Sequence, residues 1–517
     1  MSSGLSSPAS LPPGWAFPRL AEIALVNPPP ERSIAADNVN VNFVPMRAVE
    51  PEGGGLLRPE VRAYGEVKKG YTSFLSGDVI MAKITPCMEN GKVTVVPDLP
   101  GSLCFGSTEF HVFRAEEGIE PTWIARFLLQ GDFRGAAQRA MTGGVGQMRV
   151  PAEFLGTVRI PLAPSSEQRR IADALDELFS DLDAAVTALE RTRAKLAQYR
   201  ASVLKAAVEG ALTSAWRRQN PRTEPAPELL KRILAERRRR WEERQLRKFK
   251  EKGQKPPDNW KTKYNEPIAL DTANLPSLPE DWCWSSLGEC FEVHVGATPS
   301  RAAPEYWSGV IPWVASGEVQ FCRIRDTREK ITELGLANTS TQLNPRGSVI
   351  LNMIGEGKTR GKAGLLEIAA CNNQNCAAIW VSLTPVPPLY VYYWLVYQYE
   401  ENRQLGSGNN QPAMNSAIVQ RIPIPLPPLD EQVYIVDVIE DQLSIIEHLE
   451  GELDAKLHST CALRQSILRH AFTGQLVPQD PNDEPASGLL TRIAEERAKG
   501  AHSSDARWPR NKKAKES

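Results

Sequence analysis

Two pairs of loops in this chain carry residue types suited to reading nucleic acid. KITPCMENGK (Lys83–Lys92) and TGGVGQMR (Thr142–Arg149) make one pair, IGEGKTRGK (Ile354–Lys362) and GSGNNQPAMN (Gly406–Asn415) the other. Their glycines let backbone approach a phosphate closely, and Asn, Gln, Lys and Arg side chains can make bidentate hydrogen bonds to adenine and guanine edges in a major groove. The candidate DNA-contacting residues are Asn90, Lys92, Gln147 and Arg149 in the first pair and Lys358, Arg360, Lys362, Asn409, Asn410 and Gln411 in the second. Gln147 and Gln411 are equivalent at a spacing of about 264, Lys92 and Lys362 at about 270. Any one of these residues taken singly is better explained by a tight turn carrying solubilising side chains. The paired set is what argues for contact with DNA.

Three other stretches resemble catalytic motifs and fall short of them. NPPP (Asn27–Pro30) is one residue from the Asn-Pro-Pro-aromatic loop of amino-methyltransferases, but Pro30 stands where a flipped base would stack. NMIGEGKT (Asn352–Thr359) ends like a phosphate-binding loop, yet Asn352 occupies the position of its first glycine, and RGKAG follows where a helix should open. Asp98 with Glu109-Phe110-His111 suggests a nuclease core, but His111 replaces the lysine and the second half of the chain has no counterpart. No catalytic residue, metal set or cofactor is therefore expected. The eight cysteines form no CxxC pair, which argues against structural zinc.

The elements that must position the loops are duplicated. PLAPSSEQRRIADALDEL from Pro161 recurs as PLPPLDEQVYIVDVIEDQ from Pro425, and the register continues through Gly210/Gly474 and Leu212/Leu476. After a short slip, EPAPELLKRILAER from Glu224 recurs as EPASGLLTRIAEER from Glu484; upstream, Trp15 corresponds to Trp282. Such a long period means two tandem domains, since solenoid repeats are far shorter. Within each copy, short β-rich runs such as SGDVIMAKI and RGSVILNMI alternate with turn residues, and PTWIARFLLQ and PPLYVYYWLVYQY read as equivalent helices opened by proline.

Each globule then runs into a long helix. Leu175, Leu182, Leu189, Leu196 and Val203 recur every seventh residue, with Ile171, Leu178, Ala185 and Tyr199 on the second seam position. The second copy places Ile439, Ile446, Leu453 and Ile467 on that phase beside Ile435, Leu449 and Leu463, interrupted by Gln442, Lys456 and Thr460. Ser165 or Ser166, and Asp430, stand at the starts, after prolines that a helix cannot include. The first helix spans roughly 65 Å at 1.5 Å per residue, too long to bury its stripe on one globule. Two matched seams in one chain favour antiparallel pairing within it. The expected fold is α+β: two mixed α/β globules separated by two long helices forming an intramolecular antiparallel coiled coil.

With 61 basic and 62 acidic residues the net charge is -1, so what matters is where charge lies. Leu229–Lys263 holds 14 Lys/Arg against 5 Asp/Glu, the one strong basic concentration. It reads either as a solvated helix and linker or as an arm contacting phosphates or a partner. The N-terminus lacks a secretory signal and LYVYYWLVY is too short to cross a bilayer, so a cytoplasmic protein is expected. The tail RWPRNKKAKES is expected to be disordered.

A globule, a PLPP…EQ entry, a long helix ending in AFTGQL or its variant AAVEGAL, then the unit again: this arrangement resembles the DNA-specificity subunit of Type I restriction-modification enzymes. IGEGKTRGKAG (Ile354–Gly364) and NNQN (Asn372–Asn375) add to the likeness. It implies target-recognition domains at 1–160 and 276–424, helical repeats at 161–212 and 425–476, a basic helical linker at 213–275 and a C-terminal extension at 477–517. Each recognition domain would read half of a split site in double-stranded DNA. The helices would space the halves and dock two methyltransferase subunits, with motor-nuclease subunits joining to cut, and the chain itself would not be an enzyme. Departures from the pattern are the long basic arm, the polar interruptions of the second seam, and AAVEGAL, which lacks the aromatic that Phe472 supplies. Two other readings stay open: a coiled-coil adaptor that touches no nucleic acid, and a self-sufficient methylating or cleaving enzyme.

Overall fold

The computed structural model describes residues 11–29, 36–100, 103–144, 146–221, 223–355, 359–405 and 413–505. They form two compact units, Met1–Glu190 with Asp454–Ser517, and Arg191–Leu453. Each takes in one α/β globule and one half of each long helix.

In the first unit, Ala24–Val26, Phe110–Ala115, Val79–Ala82 and Val93–Val95 make an antiparallel sheet in that order, and Glu60–Ala63, Asn40–Val44, Leu103–Gly106 and Thr72–Leu75 make a second, mixed sheet. The helix Pro121–Leu128 buries Trp123, Ile124, Phe127 and Leu128 against Val79, Met81 and Phe113 of the first sheet's core. Proline opens this helix because its fixed φ suits the first turn and its missing N–H is not needed there.

In the second unit the main sheet runs Glu292–Val295, Cys376–Trp380, Val349–Asn352, Ala363–Leu366, Cys322–Ile324. Val349 lies opposite Ile379, as Val79 lies opposite Phe113 in the first unit. A three-stranded sheet (Glu329–Ile331, Trp307–Val314, Cys371–Asn372) and a strand pair (Pro423–Leu426 with Cys283–Ser286) complete it. The helix Pro388–Tyr397 is nearly all buried, which accounts for its unbroken apolar run.

The long helices are Ser165–Val208 and Leu429–Phe472. Their shared EQ entry has a local cause. Gln168 and Gln432 are wholly buried, and each closes the first turn by donating its side-chain Nε2 to a carbonyl upstream, Ala163 O and Pro427 O, both at 2.8 Å. The preceding glutamates accept indole protons from equivalent tryptophans, Trp15 to Glu167 at 3.0 Å and Trp282 to Glu431 at 2.8 Å.

Both units hold the helix halves antiparallel. In the first, Arg170 pairs with Asp483 and Asp183 with Arg464; in the second, Arg200 pairs with Glu450 and Arg217 with Glu431, so partners fall as numbers rise. Leu175, Phe179, Leu468, Ala471 and Phe472 enter the first unit's core, with Trp123 and Phe472 rings 4.4 Å apart. Leu204, Ala207, Val208, Ile435 and Ile439 enter the second's. The second seam line departs from the heptad expectation. Leu178, Ala185 and Leu463 of the first unit and Tyr199 and Leu449 of the second are exposed. Beyond Ile171 and Ile435, which enter the cores at the helix starts, this line lies on a face that neither the other helix nor the globule covers.

The motif repeated at Glu224 and Glu484 opens two further helices, Ala226–Glu251 and Ala486–Asp505. Ala226, Leu229 and Ile233 are buried in the second unit as Ala486, Leu489 and Ile493 are in the first. The equivalence extends to Arg237, which donates to Gly288 O, and Arg497, which donates to Ala21 O.

The paired glutamates differ in what surrounds them. Glu431 accepts from Thr213 and Arg217 besides Trp282, whereas Glu167 Oε1 is buried without a partner and burial pushes its carboxyl above the ordinary range. Replacing Glu431 with glutamine therefore strands the Arg217 guanidinium and should cost the second unit about 3 kcal/mol, the lower end for a broken buried pair because Arg217 keeps some solvent. Glu167→Gln should not destabilise the first unit at neutral pH, where the native carboxylate is disfavoured. Because the folded-state value is raised, that native cost is present above it and fades as pH falls toward the ordinary carboxylate range. Denaturant unfolding of the two variants at pH 7 and pH 4.5 checks both; equal losses at neutral pH would contradict the assignment.

Candidate nucleic-acid interface

The first loop pair is one structure. Val150 N donates to Lys83 O at 2.9 Å and Thr85 N to Met148 O at 3.0 Å, tying Lys83–Lys92 to Thr142–Arg149. Thr142 and Arg149 bond to each other's backbone at the neck of the second loop. Gly143 has φ +129, and a Cβ there would meet Gln147 O at 2.8 Å, so only glycine lets this loop turn back on itself.

Asn90 and Gln147 are exposed at the loop tips. Lys92 and Arg149 hold the loops: Lys92 Nζ donates to Met46 O at 3.0 Å, and Arg149 makes a two-pronged pair with Glu109 at 2.8 and 2.7 Å while donating to Gln147 O at 3.0 Å. Arg149's hydrogen bonds keep Glu109 below the usual carboxylate range. Arg134 braces the neighbouring turn by pairing with Glu52 at 2.6 Å and donating to Glu89 O at 2.9 Å. Nothing in the sequence pattern of the loops signals Glu109 or Arg134, because both act from other elements.

Two residues of the near-catalytic motifs have structural work here. Asn27, with φ 50, accepts from Val112 N at 3.0 Å and donates to His111 Nδ1 at 3.0 Å. His111 Nε2 in turn donates to Val150 O at 2.8 Å, at the seat of the second loop. Burial lowers the His111 value, which keeps the ring in the neutral form this relay needs.

The second unit repeats the plan. Met414 N donates to Met353 O at 3.0 Å, Gly361 N to Asn352 O at 2.9 Å and Met353 N to Asn375 O at 2.8 Å, so the segments flanking both loops share one end of the sheet with the Asn372–Asn375 turn. Asn352 is buried and donates to Ser316 O at 3.0 Å. Arg360 donates to Arg403 O, and Lys362 bonds Gln320 with its ammonium 5.8 Å from the Phe321 ring. Asn372 is a buried brace, donating to Cys376 O at 2.8 Å and accepting from Asn344 at 2.8 Å, whereas Gln374 stands exposed at the tip of the turn. Gln374 is a candidate the loop-pair reading missed. Lys358, Asn409, Asn410 and Gln411 lie outside the described residues.

Up to Arg244 the basic arm is largely engaged by carboxylates and backbone carbonyls. Arg244 pairs with both oxygens of Glu292 at 2.9 Å, Arg240 donates to Leu383 O, and Arg239 pairs with Glu236 and Glu243. Burial pushes the Glu292 carboxyl up, but the nearby His294 ring and the two hydrogen bonds from Arg244 outweigh it and hold it at about 2. Among the described residues no helix is long and apolar enough to cross a membrane.

A duplicated scaffold presenting two unlike loop clusters defines a class of bipartite binding proteins, and comparison with known proteins makes the class specific. Residues 279–458 match the model of the Type I restriction modification DNA specificity domain. The Type I restriction enzyme EcoEI specificity subunit of Escherichia coli is 28% identical over 528 residues, covering 89% of this chain and 84% of that protein. The EcoAI specificity subunit, also of Escherichia coli, is 30% identical over 326 residues, 55% of this chain and 52% of that one. A solved chain from a study of complex assembly and conformational transition of the type I R-M system shares the fold with a TM-score of 0.63 at 20% identity, covering 90% of this chain and all of that one. Over most of its length the chain is thus similar to Type I restriction enzyme specificity subunits.

Proposed function

We propose that this chain is the sequence-reading subunit of a Type I restriction-modification complex. Its globules, residues 1–160 and 276–424, act as target-recognition domains, each engaging half of an asymmetric bipartite site in double-stranded DNA. One observation carries the reading: the segments flanking equivalent loop pairs are hydrogen-bonded at one end of the sheet in both units, yet the loop sequences differ. Identical clusters would suit a palindrome, whereas unlike ones suit two different half-sites.

In this reading Asn90, Gln147, Asn409, Asn410 and Gln411 reach base edges. Lys92, Arg149, Lys358, Arg360 and Lys362 order the loops or meet phosphates. The helical repeats 161–212 and 425–476 set the spacing between half-sites, with 213–275 as the basic linker and 477–517 as the C-terminal extension. Two methyltransferase subunits dock on the helices. The exposed apolar residues Leu178 and Leu463 in one unit, and Ile445 and Leu449 in the other, offer them a surface. Motor-nuclease subunits complete the cutting complex, which works in the cytoplasm; methylation and cleavage belong to the partners.

Binding of the full chain to duplex DNA across a salt series tests this against an adaptor that touches no nucleic acid. Specific binding should weaken steeply and linearly on a log-log plot as phosphates regain counterions; no salt-dependent binding, with or without the partner subunits, would refute it. Incubation of the purified chain with DNA and methyl donor should yield modification only when methyltransferase subunits are added. Product from the chain alone would favour a self-sufficient enzyme.

A further inference from the structure

The basic arm is not uniform. Up to Arg244 its arginines are engaged: Arg237 and Arg240 on backbone carbonyls, Arg238 with Glu266 at 3.0 Å, and Arg244 with Glu292. Beyond it, Arg247, Lys248, Lys250, Lys252 and Lys255 are all exposed, and among the described residues no carboxylate pairs with any of them. Glu251 is the single acid among the residues numbered 245–257. Cations near a helix C-terminus are favoured by its dipole within the last turn. That accounts for Lys248 and Lys250 but not for Lys255, which lies past the turn at Gly253.

The segment is held firmly. Trp241 stacks on Trp260 with ring centroids 5.8 Å apart, Phe249 meets the same Trp260 at 6.4 Å, and Lys261 pairs with Glu242 at 2.9 Å. It also has a direction. The contacts of the helix advance from Gly288 (Arg237) to Glu292 (Arg244), the way the strand Glu292–Val295 runs. That strand ends at the proposed reading end of the second unit, where Ala297 N bonds Asn372 O at 3.0 Å and Thr298 bonds Gln374. The unpaired cations therefore continue on the side of the sheet that carries the recognition loops.

We propose that the distal end of this helix, Arg247–Lys255, lies along the sugar-phosphate backbone of the DNA beside the second half-site. There it supplies sequence-independent affinity. The inference rests on the reading of the chain as a DNA-binding subunit and adds to it a third contact surface, outside both loop clusters. Phosphate contacts fix register and strengthen binding without choosing bases.

The test replaces Arg247, Lys248, Lys250 and Lys252 with glutamine in the full chain and measures binding to a duplex carrying the target and to a scrambled duplex of equal length, each across a KCl series. Each lost phosphate contact should lower the magnitude of the salt slope by about 0.9, so a drop of about 2 to 4 is expected, with affinity for both duplexes falling by the same factor, on the order of tenfold or more. A second variant, Lys252→Gln with Lys255→Gln, touches only residues at and beyond the helix end and should show about half the change in slope. An unchanged slope in both variants, or a loss confined to the target duplex, would overturn the inference while the wild-type protein still bound DNA. If the wild-type chain bound neither duplex, the underlying reading would fall, and this one with it.

Discussion

Exchanging residues 11–160 for the corresponding globule of a relative with a different target will move one half of the recognised site and leave the other half unchanged. The first unit closes its own core, from Leu20 through Phe179 and from Leu468 through Ile493, and its loop pair is fixed by its own hydrogen bonds. The old half-site should then be lost outright. Each mismatched base pair costs about 1–3 kcal/mol, so a half-site of several base pairs amounts to a factor on the order of a thousand or more. The graft must keep the junction contacts, among them Trp123 on Phe472 and the bond from Gly131 N to Gln465 at 2.7 Å. Methylation mapping of the hybrid reads the result directly. A change in both half-sites would mean the domains do not read independently.

Lengthening both long helices together will shift the preferred spacing between half-sites. The antiparallel pairing of Asp183 with Arg464, and of Arg200 with Glu450, means that an insertion in one helix alone breaks register, so residues must be added to both. One heptad after Glu190 and one after Leu453 preserve the phase of the apolar line. Seven residues add about 10.5 Å of helix, the rise of roughly three base pairs. The variant should lose activity on its original target and regain it on targets whose spacer is longer by about two to four base pairs. Retention of the original spacer would refute the helices as a ruler.

Much of this architecture was legible because duplication supplies its own control. Gln168 and Gln432, and Trp15 and Trp282, recur together, and the structure gives each pair one physical task in closing a helix start against its globule. Ile171 and Ile435 of the second seam line are core, but the rest of that line was misread because heptad spacing reports which residues share a face, not whether anything covers that face. Tyr199 and Leu449 are spaced like core and are exposed. At the loops, residue type and equivalence located the cluster but could not separate tips from struts. Lys92 and Arg149 look like Asn90 and Gln147 in the sequence, yet the first two are engaged by Met46 O and Glu109, which lie far along the chain. Those long-range partners carry no local signal. The basic arm needed the structure for the same reason: its carboxylate partners at Glu266 and Glu292 reveal where neutralisation stops.

Methylome sequencing of a host expressing this chain with its methyltransferase subunits tests the central claim most directly. Two unlike heads held on one duplicated scaffold should produce a single methylated motif of two different half-sites separated by a fixed run of unread bases. A palindromic motif, a continuous one, or no new methylation at all would contradict it.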